Sequence, residues 1–148
     1  MNNLTRLYKD IKTFADSHRM VNQFLLIGSE DDINKKEFDE FDYRTLLMMP
    51  LEANLSRDFN SPIYTLDFEI ILIDRIITDN DSSYISSTEE NINVIGQLQD
   101  YLLQQQDDVE FNNIEMTTGM SEDYNITIAM CDFTVNLARG PYIRGIDI

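Results

Sequence analysis

The chain has 148 residues, 43% hydrophobic and 26% charged, and its 27 Asp and Glu against 11 Lys and Arg give a formal net charge of −16. That length fits one domain with a real core, no run approaches the roughly 20 apolar residues that cross a bilayer, and Met1-Asn2-Asn3-Leu4 lacks the basic-then-apolar pattern of a signal peptide. The acidity excludes a protein that wraps nucleic acid by neutralising phosphates, and a single cysteine, Cys131, excludes an internal disulfide. The expectation is one soluble domain made in the cytoplasm, with Cys131 a small buried hydrophobe in its apolar run.

Leu4, Leu7, Tyr8, Ile11, Phe14, Ala15 and His18 recur at three- and four-residue spacing, which predicts an amphipathic helix started by Asn2 or Asn3. Its opposite face carries Arg6, Lys9 and Lys12. Val21 to Ile27 predicts a short strand ended by Gly28. Ser29 to Asp42, with seven acids and two lysines, reads as an exposed loop in which Phe38 and Phe41 pin the chain back or reach a neighbour. Leu46 to Met49 predicts an interior strand that begins near Tyr43 and closes at Pro50. Glu52 to Pro62 holds the turn chemistry of a long hairpin connection.

Ile63 to Ile77 is the best strand, with Tyr64, Leu66, Phe68, Ile70 and Leu72 on one face. Thr65, Asp67 and Glu69 begin the other face, which turns apolar at Ile71 and Ile73. Asp79 to Ser83 reads as a loop capping a second helix, whose stripe is Ile85, Ile92, Ile95, Leu98 and Leu102. Gly96 inside that helix costs about 1 kcal/mol relative to Ala, which a close packing contact would explain. Strands over Val109 to Thr118 and Ile126 to Leu137 follow, around a turn at Gly119 to Tyr124. Gly140, Pro141 and Gly145 then predict an extended C-terminal arm over 139–148. The order implies an α+β, two-layer fold over 1–138: a mixed, mostly antiparallel sheet of four to five strands flanked by two helices.

Chemistry is sparse. No GxGxxG or GxxxxGK[ST] loop is present, and one His with one Cys leaves little for zinc. His18 lies on the apolar stripe, where a core or helix-end role outweighs that of a base. Asp79, Asp81, Ser83, Ile85, Ser87 and Glu90 match a calcium-loop spacing, but Tyr84 stands where glycine is needed. Asp67 and Glu69, with Asp74 nearby, would suit a paired-carboxylate hydrolase; one wet end of a sheet explains them as well. The expectation is therefore no catalytic residues, no metal and no cofactor.

Charge is unevenly placed. From Ile76 to Ala138 there is no Lys or Arg but there are twelve acids, whereas the first twenty residues carry Arg6, Lys9, Lys12 and Arg19 against Asp10 and Asp16. Such asymmetry is either a solvated face or the complement of a partner surface. The residues read as partner-binding are Arg6, Lys9 and Lys12, and in the arm Arg139, Tyr142, Ile143, Arg144 and Ile146.

Several segments taken together resemble a known group. Phe14-Ala15-Asp16-Ser17-His18 ends an opening helix, and Ile27-Gly28 ends a short strand. Tyr43-Arg44-Thr45-Leu46-Leu47-Met48-Met49-Pro50 resembles a strand of the form Tyr-x-x-Leu-apolar-x-x-Pro. Tyr64 to Asp74 resembles a central strand ending in Asp, and Ser121-Glu122-Asp123-Tyr124 an acidic turn before the last strand. The whole is similar to the tail-terminator-like and neck ring proteins of tailed bacteriophages, in particular those infecting gut Bacteroidetes, including crAss-like phages. At the turn into the last strand, where relatives often carry an acid and then Gly-Trp, Tyr124-Asn125-Ile126 stands here. The resemblance implies a virion structural protein of the neck or tail. Such a protein forms a closed sixfold or twelvefold ring with itself, joins the head-side portal and connector to the tail proteins, and lets DNA pass through its lumen. An acidic wall suits that passage. The alternative is an acidic binding or inhibitor module of the DNA-mimic type, acting on a basic protein partner.

Overall fold

The computed structural model describes residues 3–28, 41–55, 63–78, 80–105, 110–121 and 124–138. Helix α1 (Asn3–Ser17) is followed by β1 (Gln23–Leu26), β2 (Thr45–Leu55) and β3 (Ile63–Arg75). Helix α2 (Asp81–Gln105) then leads to β4 (Glu110–Ser121) and β5 (Ile126–Ala138). The strands form one five-stranded sheet in the order β1-β2-β3-β5-β4. Only β1 and β2 pair in parallel; β2–β3, β3–β5 and β4–β5 are antiparallel. This is the α+β class that the alternation of helical and strand periods implied.

The period-2 pattern of β3 sorts the two faces of the sheet. Leu66, Phe68, Ile70 and Leu72 join Leu46 and Met48 of β2 and Ala129, Cys131, Phe133 and Val135 of β5 in the main core. The helices close it with Leu7, Ile11 and Phe14 from α1 and Val94, Ile95, Leu98 and Leu102 from α2. At its centre Phe68 and Phe133, directly opposed on neighbouring strands, stack with centroids 5.0 Å apart. The other face carries a smaller cluster of Phe41, Leu47, Ile71, Ile73 and Ile126. Phe41 is thus a buried anchor; the rest of the expected loop over 29–40, with Phe38, lies outside the described residues, as does the arm over 139–148.

Three expectations need correction. Pro50 does not close its strand: β2 runs on to Leu55, because the register shifts between Pro50 and Glu52, and a bulge is where a strand tolerates a residue without an N–H. Gly119 is not in a turn but paired with Ile128 inside β4, which ends at Ser121. The stripe of α2 is also rotated. Ile85 and Ile92 are exposed, and Tyr84, Ser87, Asn91 and Val94 face inward with Ile95, Leu98 and Leu102. Two polar side chains on that buried stripe hid the true phase from a pattern built on aliphatic residues.

Helix α2 is capped by Asn80, whose Oδ1 accepts the Ser83 N–H at 2.9 Å. Its Gly96 answers to no packing contact: a Cβ built there meets nothing within 4 Å. Gly96→Ala is therefore expected to stabilise the protein by about 1 kcal/mol through backbone entropy alone. A denaturant titration checks this; the midpoint should rise with an unchanged slope. Asn80→Ala should move the midpoint the other way, by about 1 kcal/mol.

Candidate functional site

Just before β2, the chain places Arg44 across from the last turn of β3, where Asp74 pairs with Thr127 of β5. Arg44, Asp74 and Thr127 thus form one row across three strands beneath the N-terminal half of α2. Arg44 is only 5% exposed, so its charge must be matched within the protein. Its guanidinium donates through one terminal nitrogen to Asp74 Oδ2 at 2.8 Å and to Glu90 Oε2 at 2.9 Å, and through Nε to Asn91 Oδ1 at 2.7 Å.

The hydrogen bonds close into a ring in which Arg44 only donates and Asp74 only accepts. Asn91 Nδ2 donates to Thr127 Oγ1 at 3.0 Å, and Ser87 Oγ donates to Asp74 Oδ2 at 2.7 Å. Ser87 has one hydroxyl hydrogen, so at its 2.5 Å contact with Thr127 the threonine is the donor. Arg44, Asn91, Thr127, Ser87 and Asp74 are therefore linked in sequence, and Glu90, half in solvent, adds a second carboxylate on the Arg44 nitrogen that Asp74 also accepts from. The network fixes the phase of α2 on the sheet, since Ser87, Glu90 and Asn91 must all point inward together. Arg44 was not among the sequence candidates. The one available sign was an arginine inside an otherwise apolar strand entry, with an Asp ending the next strand.

Glu90 also stands between two grooves. The larger, about 530 Å³, runs between the end of α1 and α2 and is lined by His18, Arg19, Met20, Asn93 and Gln97. There His18 Nδ1 accepts the Met20 N–H at 3.1 Å, which leaves the ring hydrogen on Nε2 for Gln97 Oε1 at 2.6 Å. Both ring nitrogens are engaged at a helix end. The smaller groove, about 450 Å³, is lined by Asp74, Ser82, Ser83, Ser86 and Ser87 beside the start of α2.

The other candidates fall into place in the same way. The Asp67–Glu69 couple lies on the sheet face opposite Asp74, and Asp67 accepts a hydrogen bond from Thr134 at 2.8 Å. The calcium-loop spacing lies on α2 from Asp81 onward, with Ser87 and Glu90 committed to the Arg44 network; Asp79 lies outside the described residues. Among the described residues no group of three metal-ligating side chains occurs, and no helix is long and apolar enough to cross a membrane. Cys131 is fully buried, with Gln99 Nε2 3.1 Å from its Sγ. Burial pushes its thiol up to about 11, outweighing the Gln99 hydrogen bond that lowers it.

Of the predicted partner-binding residues, Lys9 and Lys12 are exposed on α1, Lys12 paired with Asp16 at 3.0 Å. Arg6 turns toward α2 and donates to the Gln105 carbonyl at 2.7 Å, a cation at the negative end of that helix. Arg139, Tyr142, Ile143, Arg144 and Ile146 lie outside the described residues. The acids of α2 that face solvent are Asp81, Glu89, Glu90 and Asp100, with no Lys or Arg on that helix. The two helices lie against one another through Phe14–Tyr101 and His18–Gln97, so the outer surface passes from α1, where Lys9 and the Lys12–Asp16 pair are exposed, to the acidic α2. No protein-family model matches the chain, and no curated protein matches it.

Arg44→Ala is expected to cost about 3 kcal/mol, because it leaves Asp74, 20% exposed in its groove, with Ser87 as its remaining partner and removes the donors to Asn91 and Glu90. Glu90→Ala, removing the half-exposed partner, should cost no more than about 1 kcal/mol; chemical denaturation of the two variants measures the contrast. In a separate test, the Cys131 thiol should resist a thiol-reactive dye at pH 8 in native protein and react at once in denaturant.

Proposed function

We propose that the chain is a virion structural subunit of the neck or tail of a tailed bacteriophage, assembling into a closed ring around the DNA channel. In that role it joins the head-side connector to the tail proteins, and DNA slides past its acidic surface. The observation that carries the reading is the separation of charge on one side of one sheet, with exposed Lys9 and Lys12 on α1 and exposed Asp81, Glu89 and Asp100 on α2. Complementary surfaces at different places on one subunit suit a heterologous contact, and such contacts generate rings when the rotation closes. The order of elements, with a helix before three strands and a second helix before two more, is the order that the resemblance to tail-terminator-like proteins entails.

Under this reading the chain is present in purified virions in a fixed copy number, and mass spectrometry of the particles tests it. Absence from the particles overturns it, and capture of a basic DNA-binding protein instead would favour the inhibitor alternative. Exposed ion pairs contribute only about 0–1 kcal/mol each, so the ring needs several of them. Raising the salt from about 0.1 to 1 M shortens the screening length from about 10 to 3 Å and should shift assembled protein toward monomer in light scattering. The double change Lys9→Glu and Lys12→Glu should do the same at low salt.

A further inference from the structure

Among the described residues, nothing covers the flank of α2 turned toward β4. Gln99 reaches Cys131 of β5 from this flank, which orients it toward the β5–β4 side of the sheet, while α1 lies on the other side. Along it Ile85, Ile92 and Leu103 are 66%, 40% and 53% exposed. Below them on the same sheet face lies Met120 of β4, opposite Thr127 and 57% exposed. Gly96 sits between Ile92 and Leu103, with open space where a Cβ would be. The subunit itself makes no use of that glycine, and a notch in an apolar flank admits a second backbone closely. Asp81, Glu89 and Asp100 border the flank on its solvent side.

We propose that this flank is the docking site for residues 139–148 of a second copy of the chain. The chemistry of that segment matches it: Tyr142, Ile143, Ile146 and Ile148 supply apolar contacts, and Arg139 and Arg144 meet a surface without a single Lys or Arg from Ile76 to Ala138. The length matches as well. Ten extended residues reach about 33 Å, and Leu103 to Ile85 spans about 27 Å of helix. The direction favours a neighbour over the same subunit. Helix α2 advances alongside β5, from Ser87 and Asn91 at Thr127 to Gln99 at Cys131. The flank therefore leads back from the end at which β5 stops at Ala138, and a chain following it within one subunit would have to reverse at once. The proposal rests on the self-assembly in the reading above, not on the location in the virion.

Two full-length variants test it. One carries Tyr142→Asp, Ile143→Asp and Ile146→Asp, spoiling the segment; the other carries Ile85→Glu and Ile92→Glu, spoiling the flank. Circular dichroism and melting should show both folded, since every substituted position is exposed or beyond β5. Sedimentation at physiological ionic strength should show each variant alone associating at least about tenfold more weakly than the natural chain. Mixed, the two should form a one-to-one heterodimer, the intact flank of the first taking the intact segment of the second. Adding Gly96→Leu to the first variant should abolish that heterodimer without unfolding the subunit. A mixture that stays monomeric, or a flank variant that associates like the natural chain, overturns the proposal. A heterodimer from a chain absent from virions would keep the docking and discard the phage role, and the opposite pair of results would do the reverse.

Discussion

The Arg44 guanidinium determines how α2 sits on the sheet. A charge this deeply buried needs acceptors from the protein, and they come from two elements, Asp74 at the end of β3 and Glu90 and Asn91 on α2, with Thr127 of β5 joined to them through Asn91. Such a set is satisfied in one arrangement only. Rotating α2 by a single residue would bury the aliphatic Ile85 and Ile92 but put Gly96 and Gln99 in the places of Ile95 and Leu98. It would also withdraw Ser87 and Asn91 from Asp74, Arg44 and Thr127, each buried polar group so orphaned costing about 1–3 kcal/mol. The apolar gain from two isoleucines, about 1.5–3 kcal/mol each when fully buried, does not outweigh that. The polar network and the apolar residues Tyr84, Val94, Ile95, Leu98 and Leu102 therefore choose the same face of the longest helix.

The mixed make-up of that face explains which parts of the fold were legible in the sequence. β3 was readable because Leu66, Phe68, Ile70 and Leu72 alternate without a break, and α1 because Leu7, Ile11 and Phe14 fall on one stripe, so in both the inward positions are all apolar. The phase of α2 was not readable from aliphatic spacing, since Ser87 and Asn91 occupy inward positions that only the partners across the sheet explain. The run of β2 past Pro50 depends on a bulge, and the run of β4 past Gly119 depends on β5 pairing with it to Ser121; neither is a local property of the residues. The candidate site was illegible for the same reason, because Arg44 and Asp74 are thirty residues apart and acquire meaning only once β2 and β3 are in register.

The charges left over after the core is satisfied are the ones available for assembly. Arg44 is consumed inside, and Arg6 is spent on the C-terminal carbonyl of α2, so two of the basic side chains near the helices serve the fold itself. Lys9 remains outward on α1 beside the exposed Lys12–Asp16 pair, opposed by an α2 that carries acids and no base. A subunit with this asymmetry repels copies presented in like orientation and attracts those presented head to tail. Charge of this kind sets orientation and encounter more than affinity, so a lasting assembly also requires apolar contact.

The flank of α2 is where the fold leaves such contact unused. The phase that buries Ser87 and Asn91 together with Ile95, Leu98 and Leu102 turns Ile85 and Ile92 outward, so the buried polar network and the exposed apolar flank belong to one orientation of the helix. Gly96 belongs to the same flank. In the isolated subunit it weakens α2 and fills no steric need, whereas in an assembly a backbone lying across the notch would recover the loss through close contact along the helix. Stability of the single subunit and fitness for association thus pull in opposite directions at this position. A residue that improves the first by closing the notch is expected to impair the second, whereas at a core position such as Phe68 the two would fall together.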